Sequence, residues 1–302
     1  MTRTLCIDIG GTRIKSAILK ENLSLDDLKA TSSIAIRTVG WLNHSLANLL
    51  KEDHWEGLAY YYGSKRIPYD RIAVSVPGVV DDHGCFGRSD LVDGPAKLPR
   101  ELRDALQEAA GKPVTLIKDA DAWMLGFIRY AALRGENFDY PVLLLAFGTG
   151  VGVSAAGDSG TIHSIEISQR PANAWATLKE RSRYEITEGW QVHRILGRRF
   201  FEWVEDERRD WSYVKMREEF SARVEAALVD LRPSLEGALG RLRTIVLAGG
   251  NAEFVSVSRL GRLCGCRVVD LTERHAVIKP DLISLLGVET SIRTPSPRTL
   301  KF

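Results

Sequence analysis

Residues 4–19, TLCIDIGGTRIKSAIL, form two apolar, β-rich runs on either side of a Gly-Gly pair. Two short extended runs around a glycine turn are typical of a β-hairpin. Glycines in such a turn let main-chain N–H groups approach a phosphate, because no Cβ stands in the way. A carboxylate at the end of the first run can hold Mg²⁺ through water. The candidate phosphate and magnesium residues are Asp8, Gly10, Gly11, Thr12 and Lys15.

An ordinary hairpin turn is the simpler alternative for this segment, since a pair of glycines alone is weak evidence. The spacing also does not match the GxxxxGK[ST] pattern of a P-loop.

A second glycine turn follows the apolar run at residues 141–147, PVLLLAF. A dinucleotide fingerprint would require a helix after these glycines, whereas residues 153–160, VSAAGDSG, are typical of a strand and a turn. We therefore predict a second phosphate-binding hairpin, with the candidates Gly148, Thr149, Gly150 and Gly152.

A third glycine turn, Gly249-Gly250-Asn251, follows the strand-like run TIVL at residues 244–247. Two glycines after a buried strand offer a flat main-chain surface to an adenine ring, although a plain strand-to-helix turn explains them equally well. Asp119 lies where a short strand, Val114–Ile117, gives way to a helix. Helix capping is the simplest role for such a residue, and the helix N-terminus favours its charged form.

The order of elements predicts an α/β protein of two related halves. Helices are predicted at residues 42–62, 99–110, 119–133, 172–240 with a break at Pro233, and 282–290, and further strands at 71–76 and 268–269. We place the domain boundary between residues 118 and 119, and expect the final segment, residues 282–302, to pack back on the first domain.

Composition and charge exclude several classes of protein. A net charge of +2 without a long Lys/Arg run argues against nucleic-acid binding. No apolar run reaches the roughly 20 residues of a membrane span, and the N-terminus lacks the layout of a signal peptide, so we expect a cytoplasmic protein. Cys264 and Cys266 have no second pair at zinc spacing and are interpreted as thiols.

The order of these motifs resembles the ROK family (repressors, open reading frames and kinases) of the actin-like ATPase and sugar-kinase superfamily. The matching segments are DIGGTRIKSAI, VSVPGVVDD, LIKDADAWMLG, LLLAFGTGVGV, IVLAGGN and ISLLGVETSI. Around residues 114–167 the chain most resembles the glucokinases without zinc, including those that use polyphosphate. The resemblance implies two actin-like, ribonuclease H-like domains with a cleft between them. It also implies ATP and Mg²⁺ as cofactors and Asp119 as general base. The implied substrate is a sugar, amino sugar or cyclitol, and a homodimer is compatible with the resemblance.

Departures from the family pattern fall on the sugar contacts. The family's zinc motif is absent, so no structural zinc is implied. Lys118 and Asp90 stand where family glucokinases have Asn, and Thr161 and Ser164 fall on the Glu and His of the sugar clamp. A shift of one or two residues would instead bring His163 or Glu166 into the clamp. The remaining candidate substrate residue is Gly78 of the Pro-Gly turn.

These changes predict that glucose is a poor substrate, because a site built for particular hydroxyls rejects analogues that leave its polar groups unpaired. Lys118, if charged near Asp119, is expected to lower the pKa of that carboxyl group. A catalytically silent binding protein and a polyphosphate-dependent glucokinase stay open as alternatives.

Overall fold

The computed structural model describes residues 2–10, 14–33, 68–80, 86–88, 102–148, 150–166, 200–201, 204–205, 208–272 and 277–301, and the statements below concern these residues. The chain divides into two compact units. Unit 1 comprises Met1–Asn137 and Glu273–Pro297, and unit 2 comprises Phe138–Thr272 and Arg298–Phe302. The predicted domain boundary, between residues 118 and 119, falls inside unit 1. As a boundary between folding domains it stays a prediction.

The elements of unit 1 are β1 (Arg3–Ile9), β2 (Ile14–Lys20), α1 (Leu25–Ser33), β3 (Arg71–Val76), β4 (Val79–Val80), β5 (Phe86–Arg88), α2 (Leu102–Ala110), β6 (Val114–Lys118) and α3 (Asp119–Leu133). Unit 2 contributes β7 (Val142–Phe147), β8 (Val151–Ala156), β9 (Ile162–Glu166), α4 (Tyr213–Leu239), β10 (Thr244–Ala248), a 3₁₀ helix (Gly250–Phe254), α5 (Val257–Cys264) and β11 (Arg267–Asp270). The helix α6 (Pro280–Ser291) returns to unit 1, and β12 (Arg298–Lys301) belongs to unit 2.

The sheet of unit 1 has the strand order β2-β1-β3-β6, with an antiparallel β1–β2 hairpin and parallel β1, β3 and β6. Asp8 lies opposite Ser75 in the register, and Val76 lies opposite Lys118. The carboxyl ends of three parallel strands therefore meet at one edge of the sheet, and the polar residues of this unit collect there.

Two helices of unit 1, α3 and α6, pack closely through glycine. A Cβ on Gly287 would meet the carbonyl group of Ala122, and a Cβ on Gly126 would meet the carbonyl group of Ile283. Side chains of α3 are buried over residues 120–127, which is why this stretch of sequence is apolar on all sides apart from one aspartate.

The sheet of unit 2 has the order β11-β10-β7-β8-β9-β12. Its β7–β8 hairpin is antiparallel, and β10 and β11 continue it with parallel strands, as β3 and β6 do in unit 1. The two units thus repeat one topology, and the prediction of a two-part α/β fold is confirmed.

The helix α4 runs without interruption through Pro233, so the predicted break is wrong. Proline removes the hydrogen bond to the carbonyl group four residues earlier, on Val229. The side chains of Val229 (57% exposed) and Pro233 lie on the solvent face, so water can satisfy that group. Leu231 and Leu235, one turn apart, are buried in the core of unit 2 and hold both halves of the helix in place.

The strands predicted at residues 71–76, 114–117 and 244–247 are confirmed, each within a residue at either end. The helix predicted at residues 42–62 lies outside the described residues. The structure adds α1, β9 and β12, which the sequence pattern did not predict. In the described part of the chain, none of the helices has the length and apolarity that crossing a bilayer requires.

Candidate active site

Asp8 is a buried, hydrogen-bonded carboxylate at the carboxyl edge of the unit 1 sheet. The residue is 3% exposed, and each of its carboxylate oxygens accepts a hydrogen bond from a serine hydroxyl. Ser75 Oγ donates to Oδ1 at 2.6 Å, and Ser284 Oγ donates to Oδ2 at 2.9 Å. Two hydroxyl donors from β3 and α6 therefore fix the orientation of this carboxylate.

Lys15 lies directly opposite Asp8 in the β1–β2 hairpin, so both side chains point to the same face of the sheet. Its ammonium group is 3.5 Å from Asp8 Oδ2 and 2.7 Å from Asp281 Oδ1, in the first turn of α6. Burial lowers the pKa of Lys15, but the two carboxylates outweigh it and bring that pKa above its ordinary value. Lys15 is consequently a permanent cation beside Asp8.

Asp119 is the first residue of α3, and its Oδ1 accepts a hydrogen bond of 2.7 Å from the N–H of Ala120. The residue is partly exposed, yet burial of its carboxyl group raises the pKa to about 7. The Lys118 ammonium opposes this increase, while the carboxylates of Asp8 and Asp121 add to it. A carboxyl group with a pKa near 7 can accept a proton at neutral pH and still release it, which suits a general base.

The net direction of this pKa shift differs from the one that the sequence suggested. Lys118 does lower the pKa of Asp119, as expected, and so does the hydrogen bond from the first turn of α3. Both effects are smaller than the cost of burying the charge, so the net shift is upward. The burial could not be inferred from the pattern of residues, because it depends on how the ends of β1, β3 and β6 are placed together in the sheet.

The remaining residues of the first predicted hairpin and its surroundings are only partly described. Gly10 follows β1 directly, at the same edge as Asp8. Gly78, at φ +143°, adopts a main-chain conformation that favours glycine, and it follows β3 at this edge. Gly11, Thr12 and Asp90 lie outside the described residues.

The second predicted turn joins β7 and β8 in unit 2. The N–H of Gly148 donates to the carbonyl oxygen of Gly150 at 2.8 Å, and Phe147 pairs with Val151 across the hairpin, which leads on to Gly152 in β8. A Cβ built on Gly148 would meet no atom of the described protein within 4 Å, so the space above this residue is open. Thr149 lies outside the described residues.

The third predicted turn is tied to the second by a side chain. Asn251 Nδ2 donates to the carbonyl oxygen of Gly148 at 2.9 Å. Gly249, at φ +85°, lies so close to Phe147 that a Cβ would come within 2.9 Å of its main-chain nitrogen, whereas a Cβ on Gly250 would meet nothing within 4 Å. The Asn251 side chain therefore joins the two glycine turns into one structure.

The predicted sugar-clamp segment runs along β9. Its first and last residues therefore lie at opposite ends of the strands of the unit 2 sheet. Ile162 pairs with Ala156, at the far end of β8 from the glycine turn, and Thr161 precedes it at that edge. Glu166 ends β9 toward the edge where β8 begins at Val151. The structure thus brings Glu166, and not Thr161, to the same edge of the sheet as Gly148.

Two further side chains of β9 face different surroundings. Ser164 is buried and pairs with Ser154 in the register. His163 Nδ1 is buried without a hydrogen-bond partner in the described part of the chain, and burial together with Arg298 lowers the pKa of His163. The imidazole is therefore neutral at pH 7.

Three residues of the unit 1 site were missed by reasoning from sequence: Ser75, Asp281 and Ser284. Ser75 had a usable signal, since it is the only polar residue in the apolar core of the strand RIAVSV. Asp281 and Ser284 are separated from Asp8 by most of the chain, and only the packing of α6 against β1 shows that they meet.

No family model matches the sequence. Over 209 aligned residues the chain is 30% identical to the polyphosphate glucokinase of Mycobacterium tuberculosis (strain CDC 1551 / Oshkosh). The alignment covers 63% of this chain and 69% of that protein. The chain is 25% identical over 153 residues to the N-acetylmannosamine kinase of Vibrio cholerae (serotype O1, strain ATCC 39541), covering 50% of this chain and 47% of that protein.

Among solved structures, a ROK family glucokinase from Streptomyces griseus in complex with glucose and AMPPNP matches with a TM-score of 0.62 and 14% identity. The match covers 96% of this chain and 98% of that one, and at this identity it establishes the fold. The sequence is similar to the mycobacterial enzyme, and the fold is similar to the Streptomyces enzyme. Both similarities are consistent with the hairpins and glycine turns described above. The chain belongs to the ROK family of sugar kinases, and it has the family's actin-like, two-domain fold.

Proposed function

We propose that this protein transfers the γ-phosphoryl group of ATP to a hydroxyl group of a sugar, amino sugar or cyclitol. The observation that carries the proposal is the carboxyl group of Asp119, whose pKa of about 7 sets it apart as a proton acceptor. Relatives named polyphosphate glucokinase and N-acetylmannosamine kinase support the class of reaction.

Asp119 acts as general base in this proposal. The acceptor hydroxyl loses its proton to the Asp119 carboxylate as its oxygen bonds to the γ-phosphorus, and the bond from that phosphorus to the β–γ bridging oxygen breaks. The N–H of Ala120 fixes one carboxylate oxygen, so the orientation of the base does not have to be established during the reaction.

Asp8 and Lys15 serve the phosphate donor. The described residues include no cluster of three or more His, Cys, Asp or Glu side chains able to enclose a metal. A single oriented carboxylate nevertheless fits Mg²⁺, which keeps several waters and usually takes one or two protein carboxylates. Asp8 would hold the hydrated ion, which supplies positive charge to the phosphate oxygens, and Lys15 adds a second cation.

The glycine turns of unit 2 are further candidates for binding the phosphate donor. The N–H of Gly148 is already bonded to the carbonyl oxygen of Gly150, and the open space above Gly148 leaves room for a phosphate oxygen. Gly249, Gly250 and Asn251 form the flat surface proposed for adenine, held to the phosphate turn by the hydrogen bond of Asn251.

The acceptor is expected to differ from glucose. Lys118 places a positive charge beside the base. A substrate amine could use Asp90 as its counter-charge, a pairing that glucose cannot make, whereas Asp121, the other candidate, is only 2% exposed. Glu166, at the same edge of its sheet as the phosphate turn, is favoured over Thr161 for a substrate contact, with Ser164, His163 and Gly78 as further candidates.

The test measures turnover with ATP and with inorganic polyphosphate, each against glucose, amino sugars, N-acetylmannosamine and cyclitols. We expect turnover with ATP and an amino sugar or cyclitol, and a glucose kcat/KM below about 10⁴ M⁻¹s⁻¹, the lower edge for ordinary enzymes. A higher glucose value would identify a simple glucokinase, and activity with polyphosphate alone would replace ATP as donor. Tight binding of one sugar without turnover of any would instead favour a silent binding protein.

A further inference from the structure

The first turn of α6 delivers two side chains to the Asp8–Lys15 pair. Asp281 and Ser284 are three positions apart and so lie on one face of the helix. Asp281 Oδ1 is 2.7 Å from Lys15 Nζ, and Ser284 Oγ is 2.9 Å from Asp8 Oδ2. One helical turn therefore contacts both charged groups of the proposed donor site.

The contact of Ser284 is not an ordinary helix contact. A serine inside a helix usually bonds to a carbonyl group three or four positions earlier, and the Ser284 hydroxyl does lie 3.1 Å from the Asp281 carbonyl oxygen. The same fully buried hydroxyl is closer to the Asp8 carboxylate, and a charged acceptor binds a hydroxyl more strongly than a carbonyl group does. Ser284 thus adds the second of the two hydroxyl groups that stop Asp8 from rotating.

Asp281 acts on the same carboxylate through Lys15. The ammonium group is closer to Asp281 than to Asp8, at 2.7 Å against 3.5 Å, although the Asp281 side chain is 46% exposed and Asp8 is buried. Without Asp281, the only other carboxylate within ion-pair distance of this ammonium among the described residues is Asp8. Lys15 would then move onto Asp8 and compete with any cation there, since two positive charges repel at one carboxylate.

We propose that Asp281 and Ser284 are positioning residues for the phosphate donor: Ser284 orients the Asp8 carboxylate, and Asp281 holds Lys15 away from it, so that Asp8 stays available to hydrated Mg²⁺. This inference rests on the proposed function, because it assigns Asp8 to the metal and Lys15 to the donor. It adds a specific consequence, which is that changes in α6 alter the magnesium requirement and leave the sugar site unaffected.

The experiment compares Asp281→Asn and Ser284→Ala with wild-type protein in calorimetric titrations of ATP at several Mg²⁺ concentrations, without acceptor. We expect each variant to need about tenfold more Mg²⁺ for half-maximal ATP affinity, the size expected for a lost interaction with a charged group. KM for the acceptor and the melting temperature should stay within twofold and a few degrees of wild type. Asp281→Glu should restore most of the magnesium response.

Matched controls are Ser291→Ala in the last turn of α6, whose hydroxyl donates to the Val288 carbonyl oxygen of its own helix, and Asp26→Asn in the Asp26–Lys29 surface pair. Magnesium dependence equal to that of these controls overturns the inference while the kinase function stands. The inference is also overturned if Asp281→Asn or Ser284→Ala changes the acceptor KM and the melting temperature along with the magnesium response. Changes in all three quantities would indicate a structural role. If wild-type protein binds no ATP at any Mg²⁺ concentration, the proposed function itself fails and the inference with it.

Discussion

Gly126 of α3 and Gly287 of α6 lie main chain against main chain. A Cβ built on Gly287 would come within 2.6 Å of the Gly126 nitrogen, and one built on Gly126 would come within 3.2 Å of the Gly287 nitrogen. These two helices begin with Asp119 and with the turn that carries Asp281 and Ser284. The close approach of the helices therefore fixes the spacing of the polar groups in unit 1.

Gly287→Ala is expected to destabilise unit 1 by about 1–3 kcal/mol or more, because the new methyl group has no space and the helices must move apart. Gly237→Ala, in α4, is the control, since its Cβ would meet nothing within 4 Å, and it should stabilise by up to about 1 kcal/mol through helix propensity. Thermal unfolding measures both. Equal melting temperatures for the two variants would show that the glycine contact does not contribute to stability.

Asp119→Asn should lower kcat by about 10²–10⁴-fold, because an amide cannot accept the proton of the attacking hydroxyl. ATP affinity should change little. In wild-type protein, kcat/KM should rise with pH through about 7, as the carboxyl group loses its proton. Turnover of the variant within a few-fold of wild type would remove Asp119 from the role of base.

The same substitution should affect stability in a manner that depends on pH. The pKa of Asp119 is raised from 3.8 to about 7 in the folded protein, so the folded state binds the proton more tightly than the unfolded state does. The stability that this tighter proton binding contributes is fully present below about pH 4 and is lost as the pH rises to about 7. The loss is on the order of 4 kcal/mol at most.

Asp119→Asn should therefore raise the melting temperature at pH 8, where the wild-type carboxylate is charged and buried. The difference should shrink at pH 5, where wild-type Asp119 is mostly protonated. A difference that is the same at both values would mean that this carboxyl group titrates normally.

Two glycines of unit 2 are expected to respond differently to added side chains. Gly148→Val has open space for its Cβ and should fold with a nearly unchanged melting temperature, while its side chain blocks the proposed phosphate position and weakens ATP binding. Gly249→Ala meets the main chain of Phe147 at φ +85° and should lose stability as well. Unchanged ATP affinity in folded Gly148→Val protein would mark the turn as purely structural.

Purified protein should contain no stoichiometric zinc. A hydrogen bond with Cys266 lowers the pKa of the Cys264 thiol, and the same bond raises the pKa of Cys266. Two sulfur atoms fall short of the four ligands of a structural zinc site. Elemental analysis that finds one zinc per chain would contradict the interpretation of these residues as thiols.

The strands and glycine turns could be predicted from sequence because their signals are local. The pattern of residues 4–19 predicted β1 and β2 almost to the residue, and TIVL followed by Gly249 and Gly250 predicted β10 and its turn. Pro233 misled the prediction because a local rule was applied where tertiary packing of α4 decides the outcome.

The candidate site was predictable only in part. Asp8 and Lys15 lie in the predicted strands β1 and β2, and Asp119 follows the predicted strand β6, so the sequence named all three as candidates. Ser284 and Asp281 meet them through contacts between distant parts of the chain, and a single sequence carries no record of such contacts. The direction of the Asp119 pKa shift likewise depends on burial, which the residue pattern around Lys118 does not contain.

The two units repeat one strand order, yet the corresponding strands carry different chemical groups. In unit 1 the hairpin strand β1 contains Asp8, which accepts hydrogen bonds from two serine hydroxyls, whereas the corresponding strand β7 of unit 2 ends in Ala146 and Phe147. In the proposed function, unit 1 therefore acts through charged side chains and unit 2 through its main chain. Exchange of functional groups would alter the first, while loss or gain of a glycine would alter the second.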